Sequence, residues 1–365
     1  MTSPTPPTTP SLGLSLVPVL ALVALLAGVI GGLGGGGHIP LVLATAVAAA
    51  VAVWGLQQPW SRVQDSMVKG IAGGLPAVLV LMVVGLLVGV WIAAGVVPLM
   101  IHYGLLVLTP QWFLVASCVL CAIVALATGS SWSTAATVGL ALIGVGEALE
   151  VDPGMTAGAI ISGSYFGDKM SPLSDTTNLA PAAAGAELFE HIRHMLWTTV
   201  PALVLSLIGF GIMGFTTGGG TVDHGQLNVI SDGIQSAFFL SPVLLLPPLA
   251  VLGLVVLRVP ALPALLAGTL VGAGLAFFAQ DASLQSILGA AMGGYSSETG
   301  VAAVDKLLSR GGLTGMLETI ALIITALAFA GVMEGSGMLD TLARTVLKRA
   351  KGAGGLIAAT ALSSV

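Results

Sequence analysis

Charge is what this sequence has least of. Of its 365 residues only 7% are Asp, Glu, Lys or Arg, where a water-soluble domain carries about 25%. Such a chain cannot cover a surface facing water, which excludes a soluble globular protein. Its 11 basic residues are outnumbered by 16 acidic ones, which argues against a nucleic-acid partner. Cysteine is nearly absent. Cys118 and Cys121 form C-V-L-C inside an apolar run. Without further ligands they read as small packing residues on one helix face rather than a metal or redox centre. Met1–Pro10 has no basic segment and no small-residue cleavage pattern, so it reads as a disordered tail, not a signal peptide.

What is there is apolar: 56% hydrophobic residues and a mean hydropathy of +1.04. This is the composition of an all-α polytopic membrane protein. The 50 glycines and 19 prolines suit helices that approach closely and break in lipid. Spans are predicted at 12–33, 39–56, 71–95, 112–128, 195–215, 240–257, 261–278 and 316–333, with half-length segments at 99–108, 155–166 and 284–292. The segment 57–70 reads as an interfacial loop or surface helix, 216–235 as a loop between halves, and 296–312 as a polar loop.

One stretch stands apart from this background, G-S-Y-F-G-D-K-M-S-P-L-S-D-T-T-N-L-A-P from Gly163 to Pro181. A carboxylate in a bilayer costs about 2.5–3.5 kcal/mol on insertion scales and is a functional candidate by default. Asp168 and Asp175 sit here with Ser171, Thr176, Thr177 and Asn178. Gly163, Gly167, Pro172 and Pro181 are expected to break the helix. Carboxylates and hydroxyls at a broken helix supply the hard oxygen ligands that a sodium ion takes. Ser130, Ser131 and Thr134 form a second polar interruption, read either as helix caps or as partners of Asp168. Glu334 is a candidate second carboxylate, or a group at the membrane surface. Lys169 is the cation nearest Asp168. His102, His191 and His194 read as interfacial rather than as pH sensors.

The chain also matches itself. A-L-L-A-G at Ala24–Gly28 recurs at Ala264–Gly268 (264 − 24 = 240), and Gly89-Val90 recurs as Gly331-Val332 (331 − 89 = 242). Ordered matches at a near-constant shift predict two repeats, as in inverted-repeat transporters with discontinuous helices and hairpins. The division is 1–11 tail, 12–215 first repeat, 216–238 connecting loop and 239–365 second repeat. On that shift the counterpart of the Asp168 motif falls beyond Val365, so the second repeat is expected to be incomplete. The basic cluster Arg344, Lys348, Arg349 and Lys351 is placed in the cytoplasm.

The Gly163–Pro181 stretch resembles the signature of the NhaC-type sodium/proton antiporters. T-G-S-S-W-S-T-A-A-T-V-G (Thr128–Gly139), G-G-Y-S-S-E-T-G (Gly293–Gly300) and G-V-M-E-G-S-G-M-L (Gly331–Leu339) resemble further motifs of that family. The resemblance runs from about Ile71 to the end and implies a multi-pass carrier of the bacterial plasma (inner) membrane, not an enzyme, with no cofactor. Its transported ions would be Na+ (or Li+) and H+, in a role in pH homeostasis, with Na+ at Asp168 and Asp175. The lipid bilayer is its partner, with a homodimer as one arrangement. The family also contains exchangers of organic anions such as malate and lactate, which is the alternative reading, and its members run longer than this chain. An intramembrane aspartyl protease fits less well: Tyr165 stands where that class has the first glycine of G-x-G-D, and Asp175 follows only seven residues after Asp168.

Overall fold

In lipid every backbone N–H and C=O must find its partner inside the protein, so apolar runs of this length fold as helices. The computed structural model describes residues 10–217, 224–349 and 354–355, without the side chains at 175, 182–184, 217, 224–226 and 346–349. In chain order the helices are α1 (Leu12–Leu26), α2 (His38–Ala50), α3 (Trp60–Ala93), α4 (Val96–Val107), α5 (Pro110–Thr128), α6 (Ser131–Thr134), α7 (Leu140–Ala148), α8 (Pro153–Met170) and α9 (Asp175–Ala184). They continue with α10 (Leu188–Thr217), α11 (His224–Ala237), α12 (Leu246–Val256), α13 (Ala261–Ala279), α14 (Leu284–Gly293), α15 (Ala302–Leu308), α16 (Leu313–Gly335) and α17 (Met338–Arg349). Short π-helical turns extend α1 and α2, and another at Ala135–Gly139 joins α6 to α7. Among the described residues seven helices are long and apolar enough to cross a membrane, or eight if the 96° bent pair 227–237 and 242–256 is one span. The chain is an all-α polytopic membrane protein.

The expected elements differ in four places. Residues 60–70 are the first turns of α3, which runs unbroken for 34 residues. The span predicted at 195–215 begins earlier, as the 30-residue α10 from Leu188. Within the supposed connecting loop, His224–Ala237 is helical, and within the polar loop 296–312, Ala302–Leu308 is helical. Gly163 and Gly167 do not break α8. They are its contact face: a Cβ at Gly163 would lie 2.1 Å from the Cys118 carbonyl oxygen, and one at Gly167 2.3 Å from that of Ala122. The two helices therefore touch backbone to backbone, as small residues allow in membranes. Cys118 and Cys121 are free and buried on the α5 side of this seam, as packing residues. The tail up to residue 9, and Lys351, lie outside the described residues.

The fold divides into two compact units, Val80–Met316 and Met1–Leu79 with Leu317–Val365. The first has a core around Trp91, Leu99, Phe113, Leu244 and Leu265, with the Trp91 indole N–H donating to the Gly268 carbonyl at 3.0 Å. The second has its own core of Ala48, Ala52, Val63, Val332 and Met338. In the second unit, Gly70 of α3 abuts Gly331 of α16 and Gly74 abuts Leu327. In the first unit, Gly85 abuts Met316 and Gly89 abuts Gly312. In each unit α16 steps back as α3 steps forward, so the contact is antiparallel.

Helix boundaries follow the internal repeat. Gly95 (φ 78°) and Gly337 (φ 79°) are both left-handed, and each is followed at once by a helix. α4 and α17 thus start 242 positions apart (338 − 96). The same displacement carries Trp60–Ala93 onto 302–335, from the start of α15 to the end of α16.

Candidate ion site

α5 stops at Gly129, which takes a left-handed turn (φ 68°). A Cβ there would stand 2.7 Å from the Leu173 backbone, so glycine is required on both counts. Ser130 then caps the next helix, its hydroxyl accepting from the Ser133 N–H at 3.2 Å. This sets Ser131, in the first helical turn, against the last turn of α8. The Ser131 hydroxyl donates to the Asp168 carboxylate at 2.9 Å. Asp168 is 9% exposed and Ser131 8%. Two helix ends thus meet through a hydroxyl and a carboxylate.

The hydroxyls after Asp168 mostly hold the chain break in place. Pro172 forces the turn between α8 and α9. The Thr177 hydroxyl reaches back to the carbonyls of Asp168 (3.2 Å) and Lys169 (3.1 Å), closing the open end of α8. The Ser171 hydroxyl accepts from the Leu173 N–H at 3.2 Å, and the Asn178 amide donates to the carbonyls of Pro172 and Ser174. Thr176 and Ser174 share a hydrogen bond of 3.0 Å. The Thr134 hydroxyl donates to the Ser130 carbonyl at 2.9 Å.

A cavity of about 970 Å³ opens onto this break. Asp168, Ser130, Ser131, Thr176 and Asn178 line it; Ser171, Thr177 and Thr134 do not. The expected cluster is therefore split between residues that face the cavity and residues that brace it. Asp175 begins α9, and its side chain lies outside the described residues. Lys169 is exposed and does not line the cavity. Glu334 belongs to the other unit, where it lines a separate cavity of about 480 Å³ with Arg62, Asp65 and Lys69. Among the described residues no group of three or more His, Cys, Asp or Glu could hold a metal ion.

Reading the sequence missed Arg258. It lies in the short turn between α12 and α13, in a left-handed conformation (φ 64°), and lines the same cavity as Asp168. Its signal was available: a lone guanidinium between two apolar spans, two residues before Pro260.

The model of the Na+/H+ antiporter family matches residues 163–365. Among curated proteins, the Na+/H+ antiporter NhaC of Alkalihalophilus pseudofirmus is 40% identical over 90% of this chain and 71% of its own length. The malate-2H+/Na+-lactate antiporter of Bacillus subtilis is 38% identical over 88% of this chain and 69% of its own length. The arginine/ornithine antiporter ArcD of Halobacterium salinarum is 35% identical over 98% and 74%. No solved structure matches the chain. Family match and relatives agree with the site's residues: the chain belongs to the Na+/H+ antiporter family.

Proposed function

We propose that this protein exchanges Na+, or Li+, for H+ across the bacterial plasma membrane, with Asp168 as the group that holds one ion or the other. The observation that carries this is the Asp168 carboxylate, buried on a broken helix, facing a cavity and sharing a hydrogen bond with Ser131. A carboxylate so placed has few ways to be satisfied: it takes a proton, or a cation with hydroxyl oxygens beside it. The two compete for the same oxygens, so loading sodium expels the proton. Each unit of separation between the site's affinity and ambient pH is worth about 1.4 kcal/mol. Alternating exposure of the site to each side turns this competition into exchange.

Asp175 enters as a second carboxylate on sequence grounds. If both aspartates exchange, the movement is electrogenic and is driven by about 2.3 kcal/mol per charge and 100 mV. The division into two inverted repeats is supported by the shift of 242 in the helix boundaries and by the antiparallel contacts of α3 with α16. Lipid covers the apolar stripe on α10, where Trp197 is 80% and Leu205 69% exposed, with a second copy in a homodimer as the other occupant.

Arg258 favours a second reading. A guanidinium on the wall facing a carboxylate suits a substrate that carries a carboxylate of its own, and two relatives are named for organic substrates. Proton flux in proteoliposomes separates the two, with sodium, lithium, malate and lactate added in turn. The cation reading expects a response to sodium or lithium alone, abolished by Asp168→Asn. Sodium-driven flux that persists in this variant would refute the assignment of Asp168.

A further inference from the structure

Two buried side-chain hydroxyls on α5 and α8 make no hydrogen bond to oxygen or nitrogen: Ser117 on α5, 0% exposed, and Ser164 on α8, 1% exposed, which has only the weakly bonding Cys121 thiol beside it. Most buried polar groups are paired, and one left alone in a packed interior calls for an explanation such as a bound ion or water. These two are not at random places. Ser164 precedes Asp168 by four residues, so the two side chains share a face of α8 with Cβ atoms about 5–6 Å apart. The seam around Ser164 is built from small groups, with Gly163 against the Cys118 backbone and Gly167 against Ala122 and the Ala125 methyl. Close backbone contact on both sides holds the two helices at fixed separation while leaving the serine oxygen free.

We propose that Ser164 is a ligand of the transported cation, which sits between its hydroxyl and the Asp168 carboxylate, deeper than the open cavity. The inference rests on Asp168 being the ion-binding carboxylate and adds where the ion lies. Hard cations hold oxygens at about 2.3–2.6 Å, so one ion bridges two oxygens up to about 5 Å apart, the reach of a serine and an aspartate one helical turn apart. Ser131, already on the carboxylate at 2.9 Å, supplies a third oxygen. The wide cavity is then a hydrated approach, and the ion is stripped of water only when it passes Asp168. Ser117 marks the next free oxygen along the same seam.

The test is sodium dependence of proton flux in proteoliposomes carrying the full chain, for Ser164→Ala, Ser164→Thr and Asp168→Asn. Losing one oxygen ligand is expected to raise the half-saturating sodium concentration about tenfold or more, with Ser164→Thr, which keeps the hydroxyl, close to the parent. Should Ser164→Ala not give monodisperse protein, Ser164→Cys fills the same space with a soft sulfur that a hard cation disfavours, and the same rise is expected. An unchanged sodium dependence in Ser164→Ala, or equal impairment in Ala and Thr, overturns the proposal, the second outcome marking a packing role. Exchange that survives Asp168→Asn overturns the parent assignment instead.

Discussion

A residue's type says what chemistry it can do, and its partners decide whether that chemistry is free. Thr177 and Asn178 have good oxygen and amide groups, but both are occupied in holding the turn after α8. Ser164 has the same hydroxyl with only the Cys121 thiol beside it. Asp305 shows the occupied case for a carboxylate outside the membrane-crossing helices. One of its oxygens accepts from the Thr299 N–H at 2.7 Å, the Thr299 hydroxyl at 2.8 Å and the Ser297 hydroxyl at 2.8 Å. These bonds, the Thr299 N–H first, hold its carboxyl below the usual carboxylate range. A group whose folded value is depressed stabilises the fold above its unfolded value, near 3.9, and loses that contribution as pH falls through the folded one. Asp305→Asn is therefore expected to melt at a lower temperature than the parent at neutral pH, in detergent. The gap should narrow below about pH 4. A gap that does not depend on pH would contradict this account.

At the scale of elements, α8 is the decisive piece, because it carries Asp168 and Ser164 one turn apart, beside the two glycines that pack on α5. Replacing Gly163 with valine puts a side chain where a carbonyl oxygen already stands at 2.1 Å. Overpacking of this kind costs about 1–3 kcal/mol when neighbours can yield, and backbone yields least. Gly163→Val is expected to lose its monodisperse size-exclusion peak, while Gly158→Ala, where a Cβ would meet nothing within 4 Å, keeps it. The same helix shows what the sequence could and could not tell. Asp168, the hydroxyls around it and the Ser130–Ser131 break were legible because polar residues stand out in apolar runs. The continuity of α8 was not. Glycine carries two meanings in lipid, break and contact, and only the position of α5 decides between them. Arg258 was passed over for a related reason: in the sequence it sits between spans, and only folding brings it to the cavity that Asp168 lines. The polar start of α3 read as a loop or surface helix because a change in composition marks where a helix leaves the bilayer, not where it ends.

At the scale of the whole molecule, sidedness follows from single helices. α3 is continuous for 34 residues, about 51 Å at 1.5 Å per residue, so its two ends lie on opposite faces of a bilayer about 30 Å thick. Near its last turns, Gly89 touches Gly312, and Arg310 beside it pairs with Glu147 at the end of α7. α8 begins just after that point, at Pro153, and runs 18 residues away from it, about 27 Å. α13 likewise runs from Ala261, on the cavity, to Gln280, which donates to the Ala94 carbonyl beyond the last turn of α3. Within Val80–Met316 the Asp168 cavity therefore opens at the end opposite the Gly89–Gly312 contact and the Glu147–Arg310 pair. Lys169 at the end of α8, Arg193 in the first turns of α10 and Arg258 lie toward that end, Lys306 and Arg310 toward the other. Basic residues mark the cytoplasmic side, so the Asp168 cavity is expected to open to the cytoplasm, with the Glu147–Arg310 pair toward the outside. Cysteines at Thr176 and Lys306 test this with a membrane-impermeant thiol reagent. In intact cells the cysteine at 306 is expected to label and the one at 176 to stay silent, and in inside-out vesicles the pattern should reverse. Labelling of both from one side would break the inverted arrangement itself. The opposite pattern would keep the two ends opposed and turn the cavity outward.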